Sequence, residues 1–494
     1  MNAFQPSVRR AAGLSLMAAL LSGCAVGPDF VRPTAPPAGR YTREALPPAT
    51  VQADGKAQQF GPDTVLRSDW WQLFGSTQVD DIVQQAIDSN PTLQAAEASL
   101  RESQDNLRAG YGVFYPQASA GLSASRERMA PREQGLQTQS SIYNLVSLSG
   151  TVSYALDVFG GKRRAVEGLR AQADSERYAA QAALITLSAN VVNTVVARAG
   201  YVAEVQATEQ LIDLEGQQLR LAEVQVRSGT ASYSALLNMR GQIAASRALL
   251  APLRQRVVQT EDLLATLEGV VPSKAVLPEI DLCSLKLPAD LPRSLPSDLV
   301  RQRPDILAAE AQLHVASAGI GVATAAMFPS FNLSGTYGGA GSSLGTLSAA
   351  SGRFWSIGPS ATVPLFQGGT LWYGRKAAID AFQASQGTYR QVVLNAFAQV
   401  ADTLQALGHD AEALQAQVDA RRAASDTLGL LQANYRAGLV AFPDVLAADV
   451  QVHEATLGYL QAVAQRHQDT VALYAALGGG WWNGSGRGGE GGAP

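Results

Sequence analysis

Leu145-Val146-Ser147-Leu148-Ser149-Gly150-Thr151-Val152-Ser153-Tyr154 is the stretch on which the fold turns. Leu145, Ser147, Ser149, Thr151 and Ser153 alternate with Val146, Leu148, Val152 and Tyr154. An extended strand over 143–158 would therefore present small polar groups on one side and apolar groups on the other. The segment 117–128 alternates in the same loose way, and the loop between the two, 126–139, is polar. About ten residues of period-two alternation bounded by turn residues is the weak signature of a membrane β-barrel strand. One such pair equally suits a soluble hairpin.

The chain then repeats the pair. Segments 330–340 and 353–366 carry the same pattern around a polar, Gly-rich loop at 341–352. The flanks repeat as well. Asn90-Pro91-Thr92-Leu93 returns as Arg303-Pro304-Asp305-Ile306, and Tyr115-Pro116 as Phe328-Pro329. Gly160-Gly161 returns as Gly368-Gly369 and Arg227-Ser228-Gly229 as Arg436-Ala437-Gly438, all about 210 positions later. Each copy reads helix, two strand-like segments, very long helix, tight turn, helix. The duplication makes the 494 residues one elongated body of two similar halves rather than a row of independent domains.

A helix is expected from about Val79, interrupted at Asn90-Pro91, where Pro suits a first helical turn, and continuing to about Gly112. No Pro occurs from Gly161 to Arg227 or from Gly369 to Arg436. Apolar residues step by three and four in both: Leu184, Leu187, Val191, Val195, Ala199, Val202, Val205, and Leu394, Phe397, Val400, Leu404, Leu407. Some 65 helical residues span roughly 100 Å, about three times the hydrocarbon thickness of a bilayer. Such rods must coil with neighbours to cover their stripes. Helices over about 233–268 and 442–477 return antiparallel to the lower parts of the rods.

Four strands cannot close a barrel, and open edges are not tolerated in lipid. Two copies would supply eight strands and a filled interior, three copies twelve and a lumen. The strand count permits either.

Composition narrows the partners. Thirty-eight Lys and Arg against 42 Asp and Glu give a net charge of −4, so nothing points to nucleic acid or an anionic surface. Charged residues are only 16% of the chain, and Ala, Gly, Gln and Ser are abundant, as at the seams of closely approaching helices. Arg9 and Arg10, a short apolar core at 11–21 and Leu21-Ser22-Gly23-Cys24 form a lipoprotein signal over 1–23, with Cys24 as the lipidated first residue of the mature chain. Several acyl chains would anchor it stably to membrane lipid. Cys283 then has no cysteine to pair with. No apolar run of eighteen or more follows the signal, so no transmembrane helix is expected and any crossing must be by strands.

The domain plan is a lipidated, Pro-rich tether at 24–69, a first repeat at 70–270, a Pro-rich linker at 271–295, a second repeat at 296–477, and a Gly-rich disordered tail at 478–494.

Cys24-Ala25-Val26-Gly27-Pro28-Asp29-Phe30, the duplicated halves, Arg303-Pro304-Asp305-Ile306, Pro364-Leu365-Phe366-Gln367-Gly368-Gly369 and Ala475-Ala476-Leu477-Gly478-Gly479-Gly480-Trp481 together resemble the outer-membrane efflux factor family. These are the TolC-type proteins, and the chain looks most like their lipoprotein branch, which includes OprM and NodT. The resemblance covers nearly the whole chain. It implies a mainly α protein with membrane β strands, whose coiled-helix hairpins and four strands per chain trimerise into a 12-stranded β-barrel atop an α-helical barrel. It further implies a homotrimer in the cell outer membrane with a periplasmic extension. A periplasmic adaptor protein and an inner-membrane pump would be its partners, and no cofactor is implied.

Gly229-Thr230 and Gly438-Leu439 sit at equivalent points of the repeat. Glycine at the end of a helix is first of all a left-handed C-cap. In the family these turns are also the tip that adaptors contact. Asp444 matches a family position whose carboxylates ring the closed periplasmic entrance, where converging copies would bind cations and repel anions. The family often has a second Asp three positions on, where this chain has Ala447, so Asp449 or an apolar ring from Leu446 could contribute. Tyr435 matches a family Tyr that helps hold the inner helix pair closed. The basic residue some members carry five positions later is Val440 here; Arg436 could substitute, or serve only as a solvated charge at the end of the rod.

His314, His409, His453 and His467 are scattered without metal-ligand spacing, and no GxSxG, P-loop or Cys-rich motif occurs. The chain reads as a passive duct and not an enzyme. The expected function is the exit channel of a tripartite efflux system for drugs or small toxic compounds, opened at its tip by the adaptor. A type I protein-secretion duct and a lipid-anchored coiled-coil scaffold without a pore are the alternatives.

Overall fold

The structure is a computed structural model that describes residues 25–37, 39–61, 66–129, 140–230, 232–293 and 296–483. Cys24 and the last residues of the expected tail lie outside these. The described chain divides into two compact units. The first contains 25–33, Leu100–Glu176 and Ala309–Tyr389; the second contains Thr34–Ser99, Arg177–Ala308 and 390–483.

The first unit holds one four-stranded antiparallel sheet in the order β2-β3-β5-β6, with β2 Gln117–Met129, β3 Ser141–Leu156, β5 Ser330–Gly341 and β6 Arg353–Thr362. Its register sorts most side chains by polarity. Ala118, Ala120, Leu122 and Ala124 of β2 pair with Val152, Gly150, Leu148 and Val146 of β3. The row continues through Leu333, Gly335 and Tyr337 of β5 to Pro359, Ile357 and Trp355 of β6. The opposite face carries Ser119, Ser123, Ser147, Ser149, Thr151, Ser153, Asn332, Ser334, Thr336, Ser356 and Ser360. Hydroxyls pair across it, Ser123 to Ser147 at 2.7 Å and Thr151 to Thr336 at 3.1 Å. The apolar face stays uncovered within the chain: Leu122 is 63% exposed, Ile357 72% and Trp355 74%.

The helices follow the duplicated order: α1 Thr77–Ser89, α2 Pro91–Gly110, α3 Gly161–Arg227, α4 Tyr233–Leu267, α5 Pro296–Gln302, α6 Pro304–Ala325, α7 Thr370–Arg436 and α8 Phe442–Ala476. The rods α3 and α7 are 67 residues each, and the return helices α4 and α8 are 35 each. Equal lengths in both halves are what a duplication predicts. Side chains cap the starts as sequence chemistry requires. The Val79 N–H donates to Ser76 Oγ, the Ala235 N–H to Ser232 Oγ, and the Thr92 and Leu93 N–H groups to Asn90 Oδ1.

In the second unit, buried residues of α3 include Leu187, Val191, Val195 and Ala199, four of the seven expected. On α7 the stripe is Val393, Ala396, Val400, Leu404, Leu407, Ala411 and Leu414. The expected Leu394 is instead 59% exposed. The seam starts one residue out of the expected phase, with Val393 and Ala396 buried in place of Leu394 and Phe397, and joins it from Val400 onward.

Three features differ from the sequence expectation. The segment 24–69 is not only a tether: β1 Gln59–Gly61 pairs in parallel with β4 Asp290–Pro292 of the inter-repeat linker. Gln58, fully buried, donates to Pro288 O and Thr470 Oγ1 and accepts from Arg466 Nε. The glycines at 478–480 do not begin a loose tail, since Trp481 Nε1 donates to Gln302 O and Asn483 Nδ2 to Leu66 O. Finally, α3 and α6 each contain an eighteen-residue stretch long and apolar enough to cross a membrane by composition. About half of each stretch is buried against the rest of the chain (56% and 44%), as in core helices of a coiled array.

The core of the second unit gathers around Trp70, which stacks on Tyr474 at 5.5 Å and meets Phe74 edge-on. Leu291 and Leu299 are fully buried as well. Cys283 is an exposed free thiol.

Candidate functional site: the two helix-hairpin turns

Both rods end in the same hydrogen-bonded turn. At the end of α3, the Gly229 N–H donates to Val226 O (3.1 Å) and the Thr230 N–H reaches back to Gln225 O (2.9 Å). At the end of α7, Gly438 donates to Tyr435 O (3.0 Å) and Leu439 to Asn434 O (2.9 Å). This is the Schellman arrangement, and it requires a left-handed residue at its centre. Gly229 and Gly438 both have φ +76°. A Cβ built at either glycine would meet nothing within 4 Å. Thr230 adds an Oγ1 bond to Gln225 O (3.1 Å) and one to Ser228 Oγ (2.9 Å). Leu439 has no such bond and is 74% exposed. Both turns are therefore rigid in backbone and bare of side-chain cover.

The residues expected to close an entrance cluster at the second turn. Tyr435, in the last turn of α7, meets Phe442 at the start of α8 with ring centroids 5.4 Å apart. Asp444 is exposed in the first turn of α8, where its Oδ2 accepts the Ala441 N–H at 3.0 Å. Its carboxylate is thus an N-terminal cap, favoured by the helix dipole, with one side still open to solvent. Arg436 is exposed at the end of α7, and Leu446 is half-buried.

Asp449 departs from the exposed pattern. It is buried, and accepts Gln218 Nε2 of α3 at 2.7 Å. Burial pushes its carboxyl above the ordinary range, against the Gln218 hydrogen bond. Nearby on α3, Glu215 is wholly buried, accepts Ser246 Oγ of α4 at 3.0 Å, and is likewise raised by burial. One face of α8 also buries His453, whose protonation burial disfavours. This polar seam between α3, α4 and α8 was missed in the sequence, where acids on a long polar helix look solvated. Its only sequence signal is the i, i+4 spacing of Asp449 and His453. Among the described residues, no group of three His, Cys, Asp or Glu side chains is placed to hold a metal ion.

The outer membrane efflux protein family model matches residues 82–270 and 295–479. The chain belongs to the outer membrane efflux protein family. The toluene efflux pump outer membrane protein TtgC of Pseudomonas putida is 29% identical over 481 residues, covering 96% of each chain. The cation efflux system protein CusC of Escherichia coli K12 is 28% identical, over 94% of this chain and 98% of that one. Among solved structures, the outer-membrane channel OprN is similar at TM-score 0.82 with 25% identity, over 93% of this efflux protein and 100% of OprN. The Campylobacter jejuni CmeC outer membrane channel has the same fold at TM-score 0.83 and 18% identity, over 94% and 96%. This efflux protein is thus an outer-membrane channel, mostly helical with a small β domain.

Proposed function

We propose that this chain is one third of a homotrimeric exit duct, through which a tripartite pump passes small toxic compounds out of the cell. The observation that carries the reading is the sheet. It has an uncovered apolar face, a hydroxyl-lined face and two edge strands, β2 and β6, without strand partners among the described residues. An open edge is not tolerated in lipid. Three copies joined edge to edge give twelve strands, apolar outside and polar within, enough for a lumen. Apolar side chains left bare on the rods, such as Leu221 (54%), Leu394 (59%) and Leu430 (63%), are those that packing between copies would cover.

In this reading Cys24 carries the lipid, and Gly229, Thr230, Gly438 and Leu439 meet the adaptor. Asp444, Tyr435, Arg436 and Leu446 surround the entrance. In this reading energy comes from the pump, and the choice of cargo from the pump and adaptor. TtgC is named for toluene, CusC for cations and OpmQ for pyoverdine export, so one architecture serves unlike cargoes.

Dye accumulation in host cells lacking the chain tests the function. Accumulation should rise, and return to normal with the wild-type chain. Unchanged accumulation across a panel of dyes and toxicants, with protein secretion impaired instead, would favour a secretion duct.

A further inference from the structure

We propose that the outer rim of the β domain binds the phosphate groups of an outer-leaflet glycolipid through Arg126, Arg128 and Arg353. The inference rests on the trimeric outer-membrane duct and the lipidated Cys24 just proposed.

The start of the chain orients the sheet. The Val26 N–H donates to Phe159 O at 3.1 Å, and Arg164 holds Asp29 at 2.6 Å. Phe159 follows shortly after the end of β3, so these bonds fix residues 26–29 at the foot of the sheet. Val26 is only two residues from Cys24. With acyl chains at Cys24 in the inner leaflet, the foot lies at that leaflet. The opposite ends of the strands, beside the loops, then lie at the outer one.

The four strands contain only four charged residues: Arg126, Glu127, Arg128 and Arg353. The register puts all three arginines on the apolar face and Glu127 on the hydroxyl face. Glu127 is engaged there, accepting from Tyr143 Oη (2.9 Å) and Ser125 Oγ (2.7 Å). The arginines stand at the loop ends of their strands and are exposed. Among the described residues, Arg126 and Arg353 make no ion pair, and Arg128 donates only to Ser140 Oγ at 3.2 Å. The cations at the foot differ. Lys162 donates to Val113 O and Ala155 O, and Arg163 pairs with Asp157. Among the described residues, basic groups are thus committed at the inner end and free of ion pairs at the outer end.

Beneath Arg353 on the same face lie Trp355 and Ile357, and beneath Arg126 lie Ala124 and Leu122. Guanidinium groups above an apolar wall match a phosphorylated lipid, with acyl chains against the wall and phosphate in the fork. Because β2 and β6 are the two edges, each seam of the trimer brings Arg126 and Arg128 of one copy beside Arg353 of the next. Three equivalent sites follow. Simple snorkelling of arginines toward water is the alternative, and it has no need of phosphate.

Native mass spectrometry of the full-length protein in detergent tests this, with bis-phosphorylated lipid A as probe and the same lipid without phosphates as comparison. The expected result is up to three phosphorylated lipids per trimer. Binding should be at least tenfold weaker for the dephosphorylated lipid and for the R126Q/R128Q/R353Q variant, and unchanged in R422Q. Equal uptake of both lipids by the wild type overturns the proposal whatever the variant does, as does wild-type affinity in the triple variant. The same spectrum counts chains: trimers without phosphate preference refute this inference alone, whereas monomers refute the duct reading with it.

Discussion

Arg303 Nη1 donates to Ala476 O at 2.9 Å, and in the other half of the chain Asn90 Nδ2 donates to Leu267 O at the same distance. These pairs are equivalent in the duplication. In each, the residue before the Pro that opens a helix binds the last carbonyl of the returning helix. Those carbonyls have no partner within their own helix, so the contact both satisfies them and closes each half on itself. Arg303 does more than Asn90, since it also donates to Gln399 Oε1 and pairs with Asp305.

Arg303→Ala should therefore destabilise the protein by about 1–3 kcal/mol through the buried carbonyl it orphans. Asn90→Ala, which also removes an N-cap, should cost about 1 kcal/mol or more. Urea unfolding of the purified protein measures both. An unchanged midpoint for Arg303→Ala would mean that the end of α8 is held by other contacts.

Gly438 combines a structural need with an empty surrounding, which allows the two to be separated. Any residue with a Cβ there incurs roughly 1–2 kcal/mol at φ +76°, with Asn tolerated best. Gly438→Asn should keep both trimer and efflux. Gly438→Glu should keep the trimer, because none of the described residues fills the space, but uncouple efflux by placing a bulky charge in the adaptor contact. Loss of trimers in Gly438→Glu would make the glycine structural only.

Asp444 is both a cap and a candidate charge at the entrance. Asp444→Asn retains an oxygen for the Ala441 N–H while removing the charge; Asp444→Ala removes both. In single-channel recordings, both variants should weaken divalent-cation block by a similar factor. If only Asp444→Ala alters the channel, the cap matters and the charge does not.

Asp410 on α7 has its Oδ2 buried without a donor. Its carboxyl is pushed up to about 7 by burial and by the Asp469 carboxyl on α8, which outweigh the attraction of Arg466. A proton held there stabilises the folded state at acid pH. Since the folded pKa is raised above the unfolded one, that contribution is complete only below the unfolded value of 3.8 and is lost progressively as pH rises from there through about 7. Asp410→Asn should therefore gain over wild type at both pH values, by at least about 2 °C more in melting temperature at pH 8.5 than at pH 5.5. Equal melting differences at both values would show that Asp410 holds no proton.

The architecture was largely legible because its signals are periodic and occur twice. A single strand such as Ser141–Leu156 is ambiguous, but its recurrence between rods of matching length is not. The turns were legible because Gly at a helix end has one dominant use. The parallel pairing of Gln59–Gly61 with Asp290–Pro292 was not, since three-residue strands far apart carry no period. Nor was the phase at the start of the α7 seam, where Val393 and Ala396 are buried and the equally apolar neighbours Leu394 and Phe397 are not. The buried Glu215 and Asp449 lay hidden for a related reason: sequence gives the polarity of a side chain, whereas burial is decided by partners from other helices.

The central claim is that three copies close one conducting barrel. The native mass of the full-length protein extracted from purified outer membranes, followed by single-channel recording of that same species, tests it most directly. The account predicts a trimer with a small, mostly closed conductance that opens further in Asp444→Ala. A monomer, or an assembly that never conducts, would contradict it and leave a lipid-anchored scaffold in its place.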